Sequence, residues 1–473
     1  MRKKQFGLRT VLWAFVVVLG CELAWAASAT GATELKIVAA PSIALYGEPF
    51  SWKVTGLRPG ERVTVKAVSK DALKISWEAE AVFEADASGA VDVGCQGPVS
   101  GGYTEADIFG LLWSMKPMNS PSKKPIAYGN DGVNGWTVDL TATNSAGTTA
   151  TSRFRCVYQR PGESLVRVPL EQDGLRGFLY YPAEGGPFPG VIILGGSEGG
   201  LFEGWARAFA ANGFAALTLA WFAYPSLPDE LVEIPLEYFD RAAAWMKAQP
   251  KVKAGGLGLM GGSKGGEAAL LVASRNSDFR AVVAMTPAAH MWEGHTMKFF
   301  SPDYQPVSSW SLGGRPLPYI PFKVTPEEKE LEQKGELASF VKFFRDGLAQ
   351  ADPATVQKAA IPVEKITAPI LLVSGTDDQI WPAEEFCAAI VARLKKAGFP
   401  YEVKHLSNEK GGHSSCLPFL VTANRGMLID GDPSGGSPQA DARGGYRSWA
   451  ETIAFLHRHL DRALTFEELR PKE

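Results

Sequence analysis

The sequence predicts two folds in one chain: an all-β sandwich, then an α/β domain built on a mostly parallel sheet. Three observations carry that expectation. From Glu34 to about Arg160 short runs alternate apolar with polar residues, as in LKIVAAPSI, RVTVKAVS, KISWEAEAVFEAD and GWTVDLTATN, with Gly, Pro, Asp and Ser between them. That is the pattern of half-buried antiparallel strands. From residue 161 onward apolar strands alternate with helical stretches, which implies parallel strands joined by right-handed crossovers. Inside that second region lies Gly261-Gly262-Ser263-Lys264-Gly265, a serine on a glycine-flanked turn between a strand and a helix.

The chain has 473 residues, 45% hydrophobic and 21% charged, enough to bury more than one core. Residues 1–26 belong to neither fold. Arg2, Lys3, Lys4 and Arg9 accompany the apolar run Val11 to Gly20, and Ala24-Trp25-Ala26 offers a cleavage site. This reads as a secretory signal, so the protein is expected to be exported, periplasmic or secreted. Val18-Leu19-Gly20-Cys21 also fits a lipoprotein processing site, which makes a lipid anchor on Cys21 the alternative. No other segment approaches the roughly 20 apolar residues of a transmembrane helix. Cleavage removes four positive charges and Glu22, moving the formal charge from −3 to about −6, and a mildly acidic surface argues against nucleic acid as a partner. Cys95, Cys156, Cys387 and Cys416 remain. An exported protein can pair Cys95 with Cys156 and Cys387 with Cys416; free buried thiols stand beside that pairing.

The sandwich region, 34–160, contains no histidine and no cluster suited to catalysis or metal binding, which leaves it a structural or pocket-shaping role. Gly101 to Pro117 reads as a glycine-and-aromatic loop packed under the sandwich or against its neighbour. Pro161 to Val168 reads as a linker into the second domain, 161–465. There Leu179 to Pro182 and Gly190 to Leu194 form strands, Trp205 to Gly213 a helix, Phe214 to Leu219 a strand and Pro235 to Lys247 a helix. Leu257 to Met260 then leads into Ser263, Glu267 to Ser274 forms a helix, and Ala281 to Met285 and Ile370 to Val373 form further strands. Between about 287 and 362 the alternation lapses into proline-rich loops and one charged helix, PEEKELEQKGELASFVKFFRDGL. Such an insertion before the next strand caps an active site, or else decorates the periphery.

The turn at Ser263 has the form of a nucleophile elbow, where glycines let the backbone pass close without a Cβ clash and the serine is held in strain. With the strand and helix alternation it specifies an α/β-hydrolase. That fold requires an acid and then a histidine, each on a loop after a later strand. Ile370 to Val373 runs into Gly375-Thr376-Asp377-Asp378, where Asp378 fits the acid position and Asp377 a turn cap. Tyr401 to Leu406 precedes Gly411-Gly412-His413 in an expected flexible loop. Among the other histidines, His405 lies on a strand, His457 and His459 on a C-terminal helix, and His290 and His295 in the insertion. His413 would then take the Ser263 proton while Asp378 orients the imidazole, and Ser263 would attack an acyl carbonyl. The backbone amide of Lys264 is the first expected oxyanion donor, with a solvated side chain; Ser197, or its neighbour Glu198, in the Gly195–Gly200 loop is the second. No metal-ligand spacing, P-loop or dinucleotide fingerprint occurs, so no cofactor is expected.

The GLLWSM stretch, GPFPGVIIL, LPDELVEIPLEYFDRAAAWM, GLGLMGGSKGGE, GTDDQIW and GGHSSCLPFL occur in this order and span nearly the whole mature chain. They resemble the type I acyl-CoA thioesterases and the bile acid-CoA:amino acid N-acyltransferases. The resemblance implies a β-sandwich followed by an α/β-hydrolase, with a Ser or Cys, Asp, His triad that falls on Ser263, Asp378 and His413. Members that form amides carry cysteine; serine implies release by water, hence a small-molecule acyl thioester as substrate. The export signal departs from this picture, because coenzyme A thioesters are cytoplasmic metabolites. Exported carboxylesterase, acyl-CoA:amino acid N-acyltransferase and a non-catalytic binding protein therefore remain as alternatives.

Overall fold

The computed structural model describes residues 34–119, 126–131, 134–296, 304–417, 421–423 and 433–461. The signal segment and Cys21 lie outside them. Two strand systems follow one another. In the first, Lys36–Ala40, Ser51–Thr55 and Val91–Asp92 form one sheet, while a second is built around Arg62–Lys70, Ser76–Glu84, Trp136–Asn144 and Thr149–Val157. Alternation puts Val63, Val65, Ala67, Val138 and Leu140 inside, and Trp52, Trp77, Phe83 and Phe154 fill the space between the sheets. Gly101 to Pro117 is not a plain loop: it contains a short helix, Gly110–Trp113, that packs against the C-terminal helix Pro438–Leu460. Asp107 beside it accepts from Arg443 Nε at 3.0 Å.

The second system is an eight-stranded sheet in the order Leu165–Leu170, Arg176–Pro182, Ala215–Ala220, Phe188–Leu194, Val252–Gly262, Phe279–Met285, Ile370–Gly375, Val403–Asn408. All pairs from Ala215–Ala220 onward are parallel; the first two pairs are antiparallel, so Arg176–Pro182 alone runs against the rest. Ala215–Ala220 and Ile370–Gly375 are buried throughout, as sheets covered by helices on both faces require. The expected linker is therefore shorter than its sequence suggests: from Leu165 it is an edge strand, where Pro169 costs no interior ladder bond.

The insertion differs from the single charged helix expected. Helix Pro326–Gln333 ends at Gly335, whose φ of 64° suits a left-handed cap, and a separate helix runs Val341–Gln350. Trp310–Leu312 and Arg315–Pro316 join Ile234–Pro235 in a small sheet. The insertion is not peripheral; it forms one wall of the cavity described next. All four cysteines in the described residues are free, Cys95 exposed and the others buried.

Candidate active site

Ser263 stands between strand Val252–Gly262 and helix Lys264–Ala273, at φ 55° and ψ −121°. L-residues avoid that region at a cost of about 1–3 kcal/mol, so the turn must be held from outside. Its neighbours do this: a Cβ on Gly261 would lie 2.0 Å from the Gly265 carbonyl oxygen, and one on Gly265 would lie 2.2 Å from that of Gly195. The Ser263 amide donates to the Met285 carbonyl at 2.8 Å, and its own carbonyl accepts from Gly266 at 2.8 Å and Glu267 at 3.1 Å. Gly196 crosses closest in the facing loop, where an added Cβ would come within 3.3 Å of Ser263 Cβ. Ser197 and Glu198 border the same cavity.

Asp378 follows strand Ile370–Gly375. One carboxylate oxygen accepts the amides of Ile380 at 2.9 Å and Trp381 at 3.2 Å; the other meets His413 Nδ1 at 2.7 Å. Their side chains are 1% and 11% exposed, so water hardly competes for that bond. Trp381 donates its indole N–H to the Thr286 carbonyl at 3.0 Å and sets its ring edge-on to His413. Asp377 accepts from Gly436 N at 2.9 Å and from the Gln379 side chain at 2.8 Å, so it ties this turn to the Gly436 loop, while the turn's own amides go to Asp378.

The His413 segment is less free than a flexible loop. His413–Cys416 forms a short helical turn, the His413 amide donates to Ser434 O at 2.8 Å, and the Gly412 amide donates to Asp441 at 2.8 Å. Downstream, Asn130 of the sandwich region exchanges two hydrogen bonds with the Val421 backbone, at 3.0 and 3.2 Å. Ser263 and His413 border one cavity of about 840 Å³. Phe202 and Trp205 line it, together with Phe322, Phe340, Phe343 and Phe344 from the insertion. Cys416 also borders it, yet burial pushes its thiol up to about 12, which makes it a poor rival nucleophile.

The remaining histidines separate from these three residues. His405 meets Ser374 at 2.6 Å, His457 pairs with Asp461 and His459 with Glu402, and His290 is half-buried in the insertion. Of these, His295 alone reaches the cavity wall, from the insertion. Among the described residues no group of His, Cys, Asp and Glu is arranged to hold a metal ion.

The Lys264 side chain is not solvated. It is 2% exposed, and its Nζ lies 2.9 Å from both oxygens of Glu267, which is itself 0% exposed. Burial pushes the Glu267 carboxyl up and the Lys264 ammonium down, each held in check by the other's charge. Sequence reasoning missed this pair. Its signal was a lysine and a glutamate three apart, one helical turn, inside an otherwise apolar, glycine-rich helix.

A parallel sheet delivering a strained serine, an acid and a histidine from the C-terminal ends of its strands defines an α/β-hydrolase. The family "BAAT / Acyl-CoA thioester hydrolase C terminal" matches residues 234–462, and "Acyl-CoA thioester hydrolase/BAAT N-terminal region" matches 47–166. This chain belongs to that acyl-CoA thioester hydrolase/BAAT family. It is similar to acyl-coenzyme A amino acid N-acyltransferase 1 of Mus musculus, 30% identical over 90% of this chain and 98% of the relative. It is also similar to the mitochondrial acyl-coenzyme A thioesterase 2 of Mus musculus, 29% identical over 88% of this chain and 87% of the relative. Acyl-coenzyme A thioesterase 1 of Homo sapiens is 29% identical over 88% and 94%.

Proposed function

We propose that this protein hydrolyses acyl thioesters through an acyl-serine intermediate on Ser263. The observation that carries the reading is the shielded Asp378–His413 pair, 2.7 Å apart, at the cavity that the strained Ser263 borders. With Nδ1–H donated to Asp378, His413 presents Nε2 as its basic nitrogen. That nitrogen takes the Ser263 proton as Oγ attacks the acyl carbon, and Asp378 stabilises the imidazolium. The tetrahedral oxyanion is received by the Lys264 amide and an amide of the Gly195–Gly200 loop at Ser197. The thiolate leaves with the proton from His413; water then repeats the sequence and frees Ser263. The aromatic walls suit an apolar acyl group, and the family relatives named for acyl-coenzyme A support a thioester donor.

Transfer to an amino acid is the second reading, favoured by the similarity to an N-acyltransferase. Serine weighs against it, because an acyl-serine ester is less reactive toward amines than a cysteine thioester. The N-terminal signal supports export, so the donors extend to other thioesters and carboxylic esters. A screen of acyl-CoA, other thioesters and p-nitrophenyl esters on the mature protein, with Ser263→Ala as control, tests the proposal. Thioester cleavage lost in the control supports it; ester cleavage alone makes the protein a carboxylesterase. Mainly N-acyl product with glycine or taurine present would move the assignment to transfer. Absence of fluorophosphonate labelling of the wild type would favour a binding protein.

A further inference from the structure

Lys264 and Glu267 form the only lysine- or arginine-carboxylate pair among the described residues with both side chains buried. Such a pair is a poor investment for stability alone, since apolar side chains of similar volume are often as good or better. Its location suggests another use. Lys264 is the first residue of the helix after Ser263, and the first amides of a helix have no intrahelical acceptor. Its side chain spans that first turn and meets both oxygens of Glu267 at 2.9 Å.

Glu267 is held in turn by the insertion. The Trp310 indole N–H donates to its Oε1 at 2.6 Å, and the Trp292 amide approaches the same oxygen at 3.5 Å. Trp310 is fully buried and stacks on Trp221, ring centroids 5.3 Å apart. Both donors come from the insertion that also supplies Phe322, Phe343 and Phe344 to the cavity wall. The carboxylate is therefore fixed to the insertion, the ammonium to the carboxylate, and the first helical turn to the ammonium.

We propose that the Lys264–Glu267 pair, braced by the Trp310 indole, is a positioning device that fixes the Lys264 amide as an oxyanion donor and ties it to the insertion. This rests on the hydrolase reading above. Rate is sensitive to such placement, since a shift of about 1 Å in a reacting geometry costs on the order of 10²-fold.

The double variant Lys264→Met/Glu267→Leu removes both charges at similar volume, and Trp310→Phe removes only the brace. For each, the acylation rate with a p-nitrophenyl ester, KM, melting temperature, and affinities for an alkyl trifluoromethyl ketone and for the fatty acid product are measured. The double variant is expected to melt at or above the wild-type temperature and keep KM and product affinity within about twofold. Its acylation rate should fall on the order of 10²-fold, with ketone affinity falling in parallel. Trp310→Phe should lose roughly tenfold in the same two quantities, the loss expected for one hydrogen bond to a charged group. Wild-type acylation and ketone affinity in a folded variant, or a loss confined to KM, would overturn the proposal. If the double variant does not fold, Trp310→Phe decides by the same readouts. Wild-type turnover by Ser263→Ala would instead sink the hydrolase reading, and with it the oxyanion role assigned to the Lys264 amide.

Discussion

Two turns of the sandwich and the buried surroundings of the elbow treat their carboxylates in opposite ways. In the sandwich, Glu61 is held at about 2, chiefly by the Arg58 backbone amide, and Asp86 is held low chiefly by the Ser88 hydroxyl. These are turns satisfying a charge. In the α/β half, Glu267 and Glu293 are buried and pushed up, Glu293 to about 7, mainly by desolvation. Glu267 lies on the helix of the elbow and Glu293 in the insertion. The contrast lies between turns that satisfy a carboxylate with their own amides and hydroxyls and a site that holds buried carboxylates beside the strained serine.

The sharpest way to break that contrast is Ser263→Ala. Hydrolysis should fall on the order of 10⁴-fold or more with far-UV circular dichroism unchanged; turnover near the wild-type rate would mean the chemistry lies elsewhere. Asp378→Asn should cost roughly 10³- to 10⁴-fold in kcat by leaving His413 in the wrong tautomer, read from steady-state kinetics with an acyl thioester. Trp77→Ala tests the other half. It removes a fully buried ring that donates to Asp71 at 3.0 Å and should destabilise the protein by about 3–5 kcal/mol in urea unfolding. Turnover per folded molecule should stay at the wild-type value. A loss of turnover would make the sandwich part of the chemistry.

The smallest effect is one of pH. Glu293 accepts from Tyr304 at 2.7 Å and from the Phe322 amide at 2.6 Å, but burial raises its carboxyl from the ordinary 4.5 to about 7. The folded protein therefore keeps a proton that the unfolded chain releases across this window. Stability is fully present below pH 4.5, declines as pH rises toward 7, and then levels off, a change of up to about 3 kcal/mol. Glu293→Gln should flatten that part of the stability profile, measured by urea unfolding between pH 4.5 and 8. An unchanged slope would assign it to other groups.

Much of this architecture was legible because its causes are local. Alternating runs such as RVTVKAVS become strands with one buried face, and the glycines around Ser263 mark a turn where backbones nearly touch. Asp378 and His413 were legible through chain order after successive strands, and the structure pairs them. What escaped depends on distant partners. A lysine in a sequence reads as solvated because lysine is nearly always exposed; only Trp310, far along the chain, makes a buried Lys264–Glu267 pair tenable. The turn at His413 reads as loose until Ser434 and Asp441 are seen to hold it. Gly335 was visible, but the helix-forming residues on both sides masked its role as a stop.

On the proposed mechanism, the backbone at Ser263 sets durability against activity at a single residue. At φ 55°, glycine is the side chain that would relax the turn, by about 1 kcal/mol. A Ser263→Gly protein should outlast the parent on heating while turning over nothing. Selection for heat resistance alone would therefore drift toward an inert variant, and a search for hardier forms of this enzyme must score turnover at every round.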